Sequence, residues 1–278
     1  MKRVFRELPG AVAGQEEPVH QVRVAGRRLR VALPLLARKG GRRTVGGAVG
    51  VLRKLTRAVG GGRDMDVILG LFEDRLANVK SASAEQRALL SRLRAARARA
   101  RAQVAEEVLD IDIDGLRRRL RRLMRRGAAG APTVLARVRV LREAEAAELL
   151  RGFSHVGDRY LPEALHALRR RVRRLRYAAE VEDVVRGEES RAPVLWKRLQ
   201  DGIGVIHDHD VLARWFDEQA RLAASRDNAL LVRAARRERR AFIGLARLLH
   251  RAFLEAKPAD LALRALQAMA RGRPITSA

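Results

Sequence analysis

Apolar residues recur along the chain at intervals of three and four, the period of a helix, and the alternation that marks a strand is missing over strand length. Runs of Ala, Leu, Arg and Glu, all strong helix formers, fill the intervals between Gly and Pro punctuation. The pattern predicts an all-α protein with helices over 18–38, 44–59, 64–80, 83–109 and 114–126. A second set is predicted over 132–152, 162–185, 192–205, 208–224 and 225–253. Pro18, Pro132 and Pro162 stand where a first helical turn tolerates proline, whereas Pro34 is expected to kink or end its helix. Gly40, Gly60, Gly127, Gly187 and Gly204 read as stops. The stretches Gly40-Gly41-Arg42-Arg43 and Gly60-Gly61-Gly62-Arg63 read as loops, and neither is followed by the G-K-[ST] of a phosphate-binding P-loop.

Superimposed on this periodicity is an internal repeat, the feature that most constrains a fold. His20-x-x-Arg23-x-x-x-Arg27-Arg28-Leu29-Arg30 returns as His166-x-x-Arg169-x-x-x-Arg173-Arg174-Leu175-Arg176. Each copy is followed by a second block, Leu55 through Gly60 to Asp64-x-Asp66-Val67 and Leu199 through Gly204 to Asp208-x-Asp210-Val211. The blocks keep their order and nearly their spacing, which arginine-rich composition alone does not produce.

At about 100° per residue, His20, Arg23, Arg27 and Arg30 share an arc of roughly 80° on one helix. Val22, Ala25, Leu29, Leu33 and Leu36 lie opposite. His166, Arg169, Arg173 and Arg176 repeat the arc, with Leu168, Leu175 and Ala179 behind them. Each row spans about 15 Å at 1.5 Å per residue, the reach of several linked phosphates. Arginine suits such a ligand because its planar guanidinium stays charged and offers paired donors. His20 and His166 fall near helix starts, where an anion is already favoured; a half-buried structural histidine is the equal alternative. Further basic rows are Arg87, Arg94, Arg97 and Arg101, the run LRRRLRRLMRR over 116–126, and Arg226, Arg233, Arg237, Arg240, Arg247 and Arg251 opposite Leu231, Ala235, Phe242, Ala246 and Phe253.

His207-Asp208-His209-Asp210 looks like a metal cluster, but its counterpart is Arg63-Asp64-Met65-Asp66. What persists is the carboxylates Asp64, Asp66, Asp208 and Asp210, expected to cap the helix that follows or to orient a nearby arginine. Gly152 to Gly157 imitates a nucleophile elbow with the wrong spacing and no strand before it. No grouping of Ser, His and carboxylate suggests turnover, so neither enzymatic activity, a metal nor a cofactor is expected.

Charge sharpens the reading. The 278 residues carry 59 Lys and Arg against 32 Asp and Glu, a formal charge of +27, while 47% hydrophobic content supports a real core. The expected partner is a polyanion. Aromatic residues are only 4% of the chain, too few for platforms that stack single-stranded bases. The absence of cysteine permits a reducing compartment, and neither a secretory leader nor a membrane-length apolar run is visible. The expectation is a cytoplasmic protein without membrane partners.

The paired motifs, with LRYAAE over 175–180, resemble the CHAD domain, the conserved histidine α-helical domain, across nearly the whole chain. The resemblance implies one domain over 5–275, built as two pseudo-symmetric four-helix bundles, 10–131 and 158–275, joined by a connecting helix over 132–157. It implies a basic central groove holding inorganic polyphosphate, and association with polyphosphate granules. The expected contacts are His20, Arg23, Arg27, Arg28, Arg30, His166, Arg169, Arg173, Arg174 and Arg176, with Arg97, Arg101, Arg233, Arg237 and Arg240. Nonspecific nucleic-acid binding is the alternative reading. The E-x-E-x-K signature of the CYTH-type triphosphatase that accompanies some relatives is missing, which suggests a stand-alone binding module. Gly26 and Pro34 depart from an unbroken first motif helix.

Overall fold

The computed structural model describes residues 1–270; residues 271–278, including the last five of the expected second half, lie outside the described residues. The described chain folds into eleven α-helices: α1 (Lys2–Val12), α2 (Glu16–Leu36), α3 (Arg42–Ala58), α4 (Gly60–Ala77), α5 (Ala84–Leu109), α6 (Ile113–Arg126), α7 (Ala131–Val156), α8 (Pro162–Arg186), α9 (Ala192–Ala224), α10 (Ala229–Glu255) and α11 (Pro258–Ala270). Among the described residues, extended pairing is confined to an isolated bridge between Ala37 and Ala128. The fold class is therefore all-α.

Three departures from the predicted elements have physical causes. Helices α1 and α11 are absent from the predicted set; they are short, at 11 and 13 residues, and Pro9 lies inside α1. Each nevertheless buries a small apolar stripe: Val4 and Ala11 in one, Ala262, Ala265 and Met269 in the other. Gly204 does not end a helix, because α9 runs through it for 33 residues. The cost of a mid-helix glycine, about 1 kcal/mol, is offset by an apolar stripe, Leu199, Ile203, Ile206 and Leu212, that stays buried on both sides of it. Gly60, Gly61 and Gly62 form the first turn of α4 and not a loop. Pro34 sits in the last turn of α2, which ends two residues beyond it at Leu36.

The described residues form two compact units: one of Met1–Arg27, Val51–Asp112 and Ile206–Leu248, the other of Arg28–Gly50, Ile113–Val205 and the described residues from 249 onward. This division differs from the sequence halves, since each unit draws residues from both. In the first unit the core joins Ile68, Leu69 and Phe72 of α4, Leu89 and Leu93 of α5, Leu212 and Phe216 of α9, and Leu231, Ala235 and Phe242 of α10. Phe72 meets Phe216 edge-on at 4.9 Å between centroids, and Phe216 stacks on Phe242 at 5.7 Å. Beside this core Glu238 is fully buried, accepting from Arg75 Nε at 2.6 Å and Gln86 Nε2 at 2.8 Å. Gln86 also closes a capping box with Ser83 at the start of α5, so one carboxylate ties α4, α5 and α10 together.

In the second unit α7 and α8 pack along each other. Gly152 lets them approach, since a methyl group there would stand 2.6 Å from Leu168 Cδ2. Leu116 and Leu120 of α6, Leu165, Val172 and Leu175 of α8, and Trp196 and Ile203 of α9 are all buried. Trp196 Nε1 lies 3.4 Å from Met269 Sδ of α11.

Candidate functional site

The first motif copy builds a lock in the first unit. Arg23, on the row expected to face a ligand, is only 9% exposed. Its Nη2 donates to Asp64 Oδ1 at 2.9 Å. Beneath it lies Gly60, where a methyl group would stand 2.2 Å from Nη1. Gly60 and Asp64 are one turn apart on the same helix, so the glycine clears the space and the carboxylate receives the guanidinium. Asp64 does not cap: the residue preceding α4 is Val59, which makes no side-chain cap bond, and Asp64 falls past the first turn. The spacing G-x-x-x-D, repeated in the sequence, was the available signal for this lock.

Two residues on, the almost buried Asp66 accepts from Arg97 Nε at 2.5 Å and Arg101 Nη2 at 2.8 Å. The same helix offers Glu73 to Arg94 at 2.7 Å, and Arg63 of α4 pairs with Glu16 of α2. The basic row of α5 is thus largely engaged with α4, although Arg97 and Arg101 each keep about a third of the side chain exposed. His20 is exposed and Arg27 half-buried. Asp210 is buried in the middle of α9 and pairs with Arg214 at 2.9 Å, while His209 packs beside the Phe242 ring. Neither Asp208 nor Asp210 lies at a helix start, so capping is ruled out for both. Among the described residues, no group of three or more His, Asp or Glu is arranged to hold a metal ion.

The row on α10 has different company. Arg233, Arg237 and Arg240 are exposed, as are Arg236 and Arg247, above a buried face of Leu231, Ala235, Phe242 and Ala246. Among the described residues Arg233, Arg236 and Arg240 meet no carboxylate; Arg237 stands 3.6 Å from its neighbour Glu238, and Arg239 pairs with Asp217.

In the second unit the second copy repeats the arginine-over-glycine contact more loosely. Arg169 Nη2 lies 3.7 Å from where a methyl on Gly204 would stand, and its buried Nε has no hydrogen-bond partner among the described residues. Glu180 gathers two further motif arginines: Arg28 Nε at 2.8 Å and Arg176 Nε at 3.2 Å. Both guanidinium groups also lie over the Tyr177 ring, at 5.9 and 5.6 Å. Glu145, nearly buried, holds Arg171 and Arg174. His166, Arg30 and Arg173 are half-buried. The role of Glu180 and Glu145 is invisible to a reading that follows cations alone, though Glu180 follows Arg176 at the helical i,i+4 spacing.

The model of the CHAD domain family matches residues 1–217. The chain belongs to the CHAD domain family. The crystal structure of the CHAD domain from the plant Ricinus communis superimposes with a TM-score of 0.62 at 22% identity, over 96% of this chain and 87% of that one. The fold is therefore a CHAD fold. No curated protein sequence matches the chain. Within this CHAD domain three states of arginine stand out: locked under a glycine–aspartate pair, as Arg23; clamped by one carboxylate with remaining donors outward, as Arg28, Arg174 and Arg176; or exposed with no acid beside them, as Arg233, Arg236 and Arg240. The last two can bind a phosphate chain, because a guanidinium has five donors and one carboxylate occupies at most two.

Proposed function

We propose that the chain binds inorganic polyphosphate through its clamped and exposed arginines, without turnover, as a cytoplasmic protein at polyphosphate granules. The observation that carries the reading is the exposed, acid-free row of Arg233, Arg236 and Arg240 in a chain whose ten aromatic residues are all buried or half-buried. Guanidinium groups supply what phosphate oxygens need, and no exposed ring is offered to a base. Membership of the CHAD family, associated with polyphosphate-related proteins, supports the same ligand. Carboxylates that hold one edge of Arg28, Arg174 and Arg176 fix their orientation before the ligand arrives, which lowers the ordering cost of binding.

The test is a titration of long-chain polyphosphate against single-stranded and duplex DNA at equal phosphate concentration near 150 mM salt. Polyphosphate is expected to bind at least tenfold tighter, with both affinities falling as salt rises through counterion uptake. Preferential binding of DNA would make the chain a nonspecific nucleic-acid binder.

A further inference from the structure

One end of the second unit, the α2–α3 turn and the second half of α6, carries charge of a single sign; the acid Asp114 pairs with Arg117 at the other end of α6. No Asp or Glu occurs between Arg28 and Gly50 or between Gly115 and Arg142, whereas those two stretches hold six and ten basic residues. The fold brings them together. Arg126 Nη1 donates to Gly40 O at 3.2 Å, Arg38 Nε to Ala128 O at 3.1 Å, and Ala129 N to Leu36 O at 2.8 Å. Leu123 packs against Gly41, and Arg119 crosses Gly47, whose missing methyl would stand 3.1 Å from its Nε. The end of α2, the start of α3 and the second half of α6 therefore lie side by side.

On this surface Lys39, Arg42, Arg43, Arg121, Arg122 and Arg125 are exposed, and among the described residues none of them meets a carboxylate. An ordinary solvated face mixes the two signs, because like charges within a Debye length of about 8 Å repel. Here the repulsion stands uncompensated, which a polyanionic partner would relieve. The N-termini of α3 and α7 open at the same end and add their partial positive charge.

We infer that this face, formed by α6 and the α2–α3 turn, binds the phosphate backbone of double-stranded nucleic acid without reading sequence. Its breadth fits a duplex better than a single thread, since the exposed cations are spread over two adjacent segments, Lys39 to Arg43 and Arg121 to Arg125. Neither stretch contains an aromatic residue or histidine, so stacking on unpaired bases has no platform. A lipid surface is disfavoured because Leu116 and Leu120, the apolar side of α6, are buried, leaving Met124 as its one exposed apolar side chain. The inference goes beyond polyphosphate binding and uses different residues.

The experiment measures binding of a 20-base-pair DNA duplex of arbitrary sequence to the full chain across a salt series, with polyphosphate and vesicles containing anionic lipid as parallel arms. The variant R42Q/R43Q/R122Q/R125Q is expected to weaken duplex affinity at least tenfold near 100 mM salt. Its log–log salt slope should shrink by roughly 3 to 4, about 0.9 for each phosphate that is no longer neutralised. Polyphosphate affinity should stay within about threefold. A control that removes equal charge elsewhere, R99Q/R159Q/R191Q/R198Q, should bind duplex within about threefold of the unchanged protein, and the corresponding Arg→Lys variant should retain most binding. Duplex affinity that is absent, or equally reduced by the control, overturns the inference. So does a loss confined to vesicles or to polyphosphate. Failure of polyphosphate to bind, with the duplex result intact, would strike the reading of the preceding section and leave this one standing.

Discussion

Two similar rows of arginine in one unit, on α5 and on the first part of α10, are put to opposite use. On α5, Arg94, Arg97 and Arg101 reach carboxylates of α4, two of them converging on a nearly buried Asp66. On α10, Arg233, Arg236 and Arg240 point outward with no acid in reach among the described residues. The difference teaches that arginine content does not locate a polyanion surface. The placement of acids does, because a carboxylate that holds a guanidinium leaves only its outward donors to a ligand, and two guanidinium groups converging on the nearly buried Asp66 serve the fold first.

The comparison breaks most clearly under charge reversal. R233E/R237E/R240E should lower polyphosphate affinity by about a hundredfold or more, since each bond to a charged group is worth roughly 1.5 to 3 kcal/mol before screening, while thermal stability holds. R97Q/R101Q should do the reverse. Leaving Asp66 buried without its partners should cost about 1 to 3 kcal/mol of stability, with affinity changed less than about fivefold. Titration and thermal melting of the two variants decide it; equal loss of affinity in both would abolish the distinction.

The two motif copies sharpen it further. Ala at Gly60 would place its methyl group on Arg23 Nη1 and should destabilise by roughly 1 to 3 kcal/mol through overpacking. Ala at Gly204 has ordinary contact distance to Arg169 and removes a mid-helix glycine, so G204A should be neutral or stabilise by up to about 1 kcal/mol. Chemical denaturation of both single variants reads the contrast, and a G204A as damaging as G60A would mean that the second copy is locked as tightly as the first.

The smallest effect is expected away from the arginines. His250 is buried beside the Tyr160 ring, its Nε2 lacks a partner among the described residues, and burial lowers its pKa, against a weaker opposing pull from Asp158. The unfolded chain therefore takes up a proton more readily than the folded one. Its contribution to stability is complete above the unfolded value of about 6.5 and is lost as the pH falls from there toward the lowered folded value. Stability measured at pH 7.5 and 5 should show this decline, and His250→Gln should flatten it; an unchanged slope in the variant would assign the decline to other groups.

The helices with strong apolar period, the all-α class and the repeat were legible in the chain because each depends on residues a few positions apart. The short α1 and α11, of 11 and 13 residues and the former interrupted by Pro9, were not, and Gly204 misled because a local helix breaker was outweighed by distant burial of Leu199, Ile203 and Ile206. Among the motif residues the same limit applies. Sequence placed Arg23 and Arg27 on one face of one helix, but could not say that Arg23 turns inward to Asp64, 41 positions away.

The sequence by itself determined the helical class, the duplicated arginine motif, the large positive charge and the two acid-free stretches, since composition and short-range spacing are complete in one dimension. Only the tertiary structure decided which arginines remain available to a ligand. That outcome depends on where Asp64, Asp66, Glu145 and Glu180 arrive in space, and a guanidinium exchanges water for whichever anion the fold puts within about 3 Å of it.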